Sequence, residues 1–388
     1  MEMWAEMEKA GCERLVFAHD ADSGLKAVVA IHNTKLGPAL GGCRMKSYPS
    51  QDEAVRDALR LARGMTYKSA MAGLPFGGGK AVVLELPDPP NRAAGFRAFG
   101  RFLEKLNGAY VTGLDLGTTV ADMDRIREET DYVTDTSGSL GAAGDFTARM
   151  TAYGVFLAIR EGLAYRKPTA GSPYGGPASA AGMPSSAAAA SLAAPAAGPT
   201  PPPAPAPRLD GTTVAVQGAG KVGYFLCRYL HEAGARLFVS DVDAFRLDRA
   251  VREFGAVPVW PERIHETECD VFAPCAVGGV LNDATLPALN CGLVAGAANN
   301  QLLEPRHDAL LRERGILFLP DYVINAGGII VTAAELESRD AESAKRHVER
   351  IPGTLRRVLQ QADAQALPPS EAADRLAEKI LARGFFRE

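Results

Sequence analysis

The sequence predicts an α/β protein of two domains. Three observations carry that expectation. The chain has 388 residues, more than one hydrophobic core usually organises. From residue 25 onward, short apolar segments of strand length alternate with longer segments of helical apolar spacing. Residues 212–217 form a strand-like run, followed by Gly218-Ala219-Gly220-Lys221-Val222-Gly223, an apolar helix pattern (Val222, Leu226, Tyr229, Leu230) and a second strand, 236–240, that ends at Asp241. A lone G-x-G-x-x-G is a weak signal. With a strand before it, a helix after it and an acid about 20 residues on, it reads as a Rossmann unit for a dinucleotide. The glycines allow a tight turn and bring a pyrophosphate to the helix N-terminus, while Asp241 would accept hydrogen bonds from ribose hydroxyls and repel a 2′-phosphate. The expected cofactor is therefore NAD rather than NADP.

The elements follow in order. Residues 25–32 read as a buried strand. Residues 36–45, with glycines at 37, 41 and 42, read as a turn-rich connection. Ser50 and Glu53 fit a capping box, and Val55, Ala58, Leu59 and Ala62 keep helical spacing until Gly64, which is placed to end the helix. Residues 81–84 are a strand. Phe96, Phe99, Phe102, Leu103 and Leu106 make one helix face, which is core rather than a cofactor contact. Residues 109–112 form a strand that delivers Asp115 at its end, where α/β folds place reacting groups. Residues 150–159 are helical. Three more strands, 269–273, 293–296 and 316–319, each run into a turn- or Gly-rich segment, and helical patterns fill the chain from 333 to its end. One segment breaks the alternation. Residues 168–207 hold 11 Pro, 14 Ala, 5 Gly and 5 Ser with no charge, and cannot bury enough apolar surface to offset ordering. They read as a disordered insertion.

Composition excludes several classes. A net charge of −4 gives no general attraction to nucleic acid or anionic membrane. No apolar run has membrane-spanning length, and the charged start lacks a signal-peptide core. Six scattered cysteines without C-x-x-C pairs read as reduced thiols, and six histidines show no metal-ligand spacing. A cytoplasmic protein without a metal is expected.

The stretch with most chemistry is GMTYKSAMAGLPFGGGK (64–80). It carries Lys68 and, after three glycines, Lys80. A glycine run permits close backbone approach to a ligand, and a lysine held beside a second cation and away from water loses its proton more easily. Such a lysine can serve as a base near neutral pH. The stretch is not a P-loop: Leu74 stands where that motif needs its first glycine, and Ala81 follows the lysine.

Together with LGPALGGCRM (36–45), DLGTT (115–119), TAYGV (151–155), VAVQGAGKVG (214–223), APCAVGG (273–279), GAANNQL (296–302) and PDYVINAGG (320–328), this stretch resembles the leucine/phenylalanine/valine branch of the amino-acid dehydrogenases. The motifs run in family order across nearly the whole chain outside 166–208. The resemblance implies a reversible oxidative deamination: an L-amino acid, NAD and water give a 2-oxo acid, ammonia and NADH. It implies that Lys80 activates water, Asp115 assists proton transfer at the amine, and Lys68 holds the substrate carboxylate, with Met65 and Gly42 beside it. It places Leu40, Gly113, Ile329 and Thr332 in the side-chain pocket, and Thr151 and Asn299 near the nicotinamide. It further implies a substrate and oligomerisation domain, 1–145 completed by 333–388, an NAD domain, 146–332, interrupted by 168–207, and a homo-oligomer, often an octamer in that family.

Three features depart from the family pattern. The 168–207 tract replaces a short linker. Residues 144–150 differ from the Pro- and Ser-containing run expected before TAYGV, which touches the hinge. The pocket is mixed: Gly113 leaves room for a large side chain, Leu40 and Ile329 suit a branched aliphatic one, and Thr332 is polar. A branched-chain substrate is favoured, with an aromatic one as the alternative. A catalytically impaired NAD-binding homologue is the second alternative.

Overall fold

A computed structural model describes residues 2–86, 89–166 and 209–384. The 168–207 tract lies outside the described residues. The N-terminal part runs α1 (Met3–Ala10), β1 (Arg14–Asp20), β2 (Leu25–Asn33), β3 (Ala39–Lys46), α2 (Gln51–Ala72), β4 (Gly77–Leu84), α3 (Pro89–Glu104), β5 (Tyr110–Leu114) and α4 (Val120–Arg127), and α5 (Phe146–Tyr165) follows. Five strands form one sheet in the order β1-β2-β4-β3-β5. β1, β2 and β4 pair antiparallel, whereas β3 runs parallel to both β4 and β5. Alternation along the strands sorts the side chains. Val28, Ala30 and Val82 pack under α2, and Val29, Ile31, Ala81 and Val83 pack under the helices on the other face.

Two sequence expectations fail here for related reasons. The helix begun at Ser50, whose hydroxyl accepts from the Glu53 N–H, does not stop at Gly64. It continues to Ala72 and ends on Gly73 in the left-handed conformation (φ 67°). Gly64 has open space around its α-carbon, and the helix formers after it carry the helix through at a cost of about 1 kcal/mol. Lys68 is therefore a helix residue. Nor is 39–45 a connecting turn or 77–79 a ligand loop: they form β3 and the start of β4, inside the sheet, and only 36–38 keep the turn. Their glycines serve close packing. A β-carbon on Gly78 would lie 2.0 Å from the Thr66 backbone nitrogen, and one on Gly41 would lie 1.8 Å from the Gly79 carbonyl oxygen. Bare backbone lets α2 settle directly on β4.

The second sheet is built from β6 (Thr213–Gln217), α6 (Lys221–Glu232), β7 (Arg236–Ser240), α7 (Ala244–Phe254), β8 (Val257–Pro258), β9 (Val271–Pro274), β10 (Leu293–Val294), α8 (Arg306–Glu313) and β11 (Leu317–Phe318). All its pairings are parallel, in the order β11-β10-β9-β6-β7-β8. Counted from β6, this is the 3-2-1-4-5-6 order of a dinucleotide-binding sheet, with its switch point between β6 and β9. Gly218 stands there at φ 95°, where a β-carbon would strike Ala276, and one on Gly223 would lie 1.9 Å from the Gly218 carbonyl oxygen. The chain ends in α9 (Asp321–Ile324), α10 (Gly327–Leu336), α11 (Ala341–Val348), α12 (Ile351–Gln365) and α13 (Pro369–Arg383). α10 and α12 pack on α5, and α13 returns to α2. A single apolar core joins α2 and α5, one face of the second sheet and these terminal helices.

No helix among the described residues is long and apolar enough to cross a membrane, and none of their His, Cys, Asp and Glu side chains group in a way that could hold a metal ion. The six cysteines are free, and burial raises every thiol, Cys12 to about 11 and Cys269, Cys275 and Cys291 to about 12.

The close contact of α2 with β4 yields a paired test. Gly78→Ala is expected to lower stability by about 2–3 kcal/mol through overpacking. Gly64→Ala, inside the same helix but facing open space, is expected to raise it by about 0.5–1 kcal/mol. Urea unfolding midpoints of the two variants check both signs.

Candidate active site

Between the two sheets lies a cleft of about 570 Å³. Leu40, Gly42, Met65, Lys68, Lys80, Gly113, Asp115, Thr151, Lys221, Val222, Asn299, Ile329 and Thr332 all line it. The remaining sequence-predicted positions, Gly218, Ala219, Gly220, Gly223 and Asp241, lie beyond this lining, at the turn after β6 and the end of β7.

The centre of the cleft is an ion pair. Lys80 projects from β4 on the face that carries Val82, only 4 % exposed, and its Nζ lies 2.8 Å from Asp115 Oδ2. Asp115 follows β5, so β3 separates the two strands. The pair meets because β3 is bare at this point. Gly42 is opposite Gly113, and a β-carbon on Gly42 would come within 2.9 Å of the Asp115 side chain. Gly42 thus clears the space in which the pair forms. Arg44 Nε, on the same strand, donates to Asp115 Oδ2 at 2.9 Å, while its Nη1 pairs with Asp57, which also accepts from the Tyr48 hydroxyl. Burial opposes ionisation of Asp115, yet Lys80 and Arg44 overcome it and hold the carboxyl low, at about 2. The Thr118 hydroxyl accepts from the Asp115 backbone N–H and fixes the turn. Asp115 Oδ1 has no protein partner among the described residues.

Lys68 reaches the cleft from α2, one turn after Gly64. Its Nζ donates to Asn299 Oδ1 at 2.9 Å, and the same oxygen accepts from Asn325 Nδ2 at 2.9 Å. The contact spans the two sheets, since Asn299 follows β10. Burial, then the Lys80 charge, lower the Lys68 ammonium to about 8, against the pull of Asp321 and Asp115. Lys68 thus carries a lowered proton affinity on a helix.

At the cofactor end, Gly220 precedes α6 with no side chain capping the helix, leaving first-turn N–H groups for an anion. Asp241 Oδ2 accepts from the Ala219 N–H at 2.7 Å and Oδ1 from the Asp243 N–H at 2.8 Å, so the carboxylate is fixed at the edge of the glycine turn. Lys221 pairs with Asp145 at 2.7 Å. Thr151, on α5, donates to the Thr147 carbonyl. Residues 144–150, the atypical stretch, hold two consecutive left-handed residues, Gly144 (φ 57°) and Asp145 (φ 56°), and then enter α5 without a break. These residues suit a dinucleotide: a turn open to close approach, an uncapped helix N-terminus and a carboxylate at the end of the next strand.

The side-chain end of the cleft differs from expectation. The space over Gly113 is taken. A β-carbon there would lie 2.6 Å from both Asp135 Oδ2 and Thr134 Oγ1, so Gly113 does not open room for a large side chain. The Thr332 hydroxyl donates to the Gly328 carbonyl, so its polarity is satisfied within α10. Arg44, Asp57, Asn325 and Asp135 were not anticipated as site residues. Arg44 stood inside a recognised motif and could have been paired with Asp115 once 39–45 was read as a strand.

The model of the Glu/Leu/Phe/Val dehydrogenase dimerisation domain matches residues 13–132, and that of Glutamate/Leucine/Phenylalanine/Valine dehydrogenase matches 243–383. A leucine dehydrogenase of Geobacillus stearothermophilus is 47% identical over 98% of this chain and 93% of its own length. The chain belongs to the Glu/Leu/Phe/Val dehydrogenase family. It is an amino-acid dehydrogenase, an oxidoreductase. Other members of the family are similar over comparable spans. A phenylalanine dehydrogenase of Lysinibacillus sphaericus is 39% identical over 96% of this chain and 89% of its own. The crystal structure of L-tryptophan dehydrogenase from Nostoc punctiforme superposes with a TM-score of 0.75 at 38% identity, covering 98% of this chain and 99% of that one. The two-domain α/β fold read from the sequence is the fold of this family.

The half-buried ammonium of Lys68 has a stability consequence with a defined sign. Its folded value of about 8 lies below that of an unfolded lysine, near 10.5. The unfolded chain binds the extra proton between those values, so stability rises with pH from about 8 to about 10.5. Lys68→Met is expected to stabilise the protein by about 1–2 kcal/mol at pH 7, and the gain is expected to vanish near pH 10.5. Thermal unfolding of both proteins at the two pH values measures it.

Proposed function

We propose that the protein catalyses the reversible, NAD-dependent oxidative deamination of an apolar L-amino acid, branched-chain ones favoured, to the 2-oxo acid, ammonia and NADH. The observation that carries this reading is the buried Lys80–Asp115 pair facing Lys68 across one cleft. Bound NAD supplies the hydride acceptor. The α-carboxylate exchanges the neutral Asn299 oxygen for itself at Lys68, because a charge-assisted hydrogen bond is about twice as strong as a neutral one. That contact fixes the α-carbon. After hydride departure the substrate is an iminium. Lys80, in its neutral form, takes a proton from water as the oxygen adds to the iminium carbon. Asp115, whose Oδ1 is unpartnered, exchanges protons at the nitrogen as ammonia leaves and the ketone forms. Burial of the pair excludes bulk water and strengthens both interactions.

Asp241 supports NAD over NADP, since a fixed carboxylate at the turn would repel a 2′-phosphate. Gly218, Ala219, Gly220, Lys221, Val222 and Gly223 would hold the pyrophosphate, with Thr151 and Asn299 at the nicotinamide. Leu40 and Ile329, both buried, and the filled space over Gly113 support a branched aliphatic side chain over an aromatic ring. Relatives named leucine dehydrogenase support the same preference. The intact Lys80–Asp115–Arg44 cluster argues against an impaired homologue. Under this reading, 1–145 with 333–388 forms the substrate and assembly unit and 146–332 the NAD unit. The dimerisation-domain match supports a homo-oligomer.

Lys80→Ala is expected to keep NAD binding, read by fluorescence titration, while kcat for leucine falls by about a thousandfold or more. Unchanged turnover would remove Lys80 from the chemistry. Because Lys68 must be charged to hold a carboxylate, KM for leucine is expected to climb as pH rises above about 8 while kcat changes less, which initial rates between pH 7 and 10 will show.

A further inference from the structure

Asp135 is a buried acid that the deamination chemistry does not use. It follows Thr134 near the isolated bridge between Thr112 and Val133, lines the cleft beside Gly113 and is only 7 % exposed. Its backbone is left-handed, at φ 59°, a conformation that Asp, Asn and Gly tolerate best. Its Oδ2 is held by the Leu114 N–H at 3.0 Å and by the Thr134 hydroxyl at 3.4 Å, so the carboxyl is locked in place from the side of β5. Its Oδ1 has no hydrogen-bond partner among the described residues. That oxygen converges with Thr147 Oγ1 on Gly141: a β-carbon there would lie 2.9 Å from one and 2.5 Å from the other. Thr147 Oγ1 is itself buried without a partner. No cation pairs with Asp135 among the described residues. The nearest charged influence is Glu335, of like sign, which accepts weakly from the Gly141 N–H, and burial together with Glu335 raises the Asp135 carboxyl.

Oδ1 thus has no protein donor among the described residues, on a residue 7 % exposed and held in a left-handed backbone at the wall of a substrate cleft. We infer that Asp135 is a specificity-determining residue: its free Oδ1 accepts a hydrogen bond from an N–H or O–H carried on the otherwise apolar side chain of the substrate. This rests on the deamination reading and refines it. The cleft then admits plain branched side chains by apolar contact with Leu40 and Ile329, and ranks above them a substrate of similar shape whose donor reaches Oδ1. Such discrimination is larger than apolar contact alone supplies, because a substrate without the donor leaves the acceptor unpaired. The donor can be neutral, as in a hydroxyl or an indole, or charged, as in an ω-ammonium, and the same oxygen would receive either.

The test uses pairs of amino acids matched in shape and differing in the donor: threonine with valine, ornithine with norleucine, and tryptophan with 3-benzothienylalanine. NADH formation gives kcat/KM for each member in the wild type, Asp135→Gly and Asp135→Asn. Both substitutions suit the left-handed backbone, and taking ratios within a pair cancels any general disturbance passed through Leu114 to Asp115. The expected result is a fall of about 10- to 100-fold in the donor-to-isostere ratio for at least one pair in Asp135→Gly, with a smaller fall in Asp135→Asn. Which pair responds separates a neutral from a charged donor. Ratios unchanged within about twofold for all three pairs in both variants, with leucine still oxidised, would overturn the role of Asp135 and leave the deamination reading standing. Absence of NADH formation from every amino acid, leucine included, would overturn both.

Discussion

The contact on which this structure depends is the one between Lys80 and Asp115. Two opposite charges removed from water are stable only when their geometry is good and their remaining hydrogen-bonding capacity is met. The first sheet supplies the geometry and meets part of the second demand, with Asp115 Oδ1 left without a protein partner among the described residues. β4 and β5 present the two residues from either side of β3, and the glycines of β3 leave nothing between them. Arg44 then binds Asp115 from β3 itself, and Asp57 and Tyr48 secure Arg44 in turn. The strand order, the parallel pairing of β3 with both neighbours and the missing side chain at 42 have a common outcome: a charged pair held at 2.8 Å, its lysine side chain 6 % and its aspartate side chain 19 % exposed.

A second set of contacts ties that site to the cofactor sheet. Lys68 touches Asn299, and Asn299 is held by Asn325 at the start of the terminal helices. Lys221, at the first turn of α6, is paired with Asp145 at the entrance to α5. α5 packs against α6 on one side and against α10 and α12 on the other. A shift of the cofactor sheet relative to the first sheet must therefore pass through α5 and through two polar contacts near the chemistry. The atypical residues 144 and 145 lie at that junction, both with a left-handed backbone.

Much of this was legible in the chain. The second sheet was read nearly strand by strand, because a β-α-β unit around a glycine turn has local signals at every boundary. Lys80 and Asp115 were singled out because they sit in runs whose motifs are specific together, and the structure brings the two side chains into contact. What escaped was set by long-range packing. Gly64 resembles a helix stop, and only the tertiary surroundings show that α2 continues over the sheet. A run of three glycines resembles a flexible loop when its neighbours in space are unknown, yet here it is a strand pressed against a helix. Gly113 looked like vacant volume, since a sequence cannot show that Asp135, 22 residues later, folds back over it. The errors at 77–79 and at Gly113 have the same origin: glycine there records where space is needed, not what fills it.

The cysteines carry a consequence for how the protein responds to its surroundings. Thiol reactions proceed through the thiolate, and all six thiols are shifted away from that form by burial, with Cys43 beneath the Lys80–Asp115 pair and Cys275 beside the glycine turn among them. None lines the cleft. Alkylating reagents therefore meet little thiolate at neutral pH among the described residues. The same burial that packs the two sheets thus keeps these sulfurs in the protonated form.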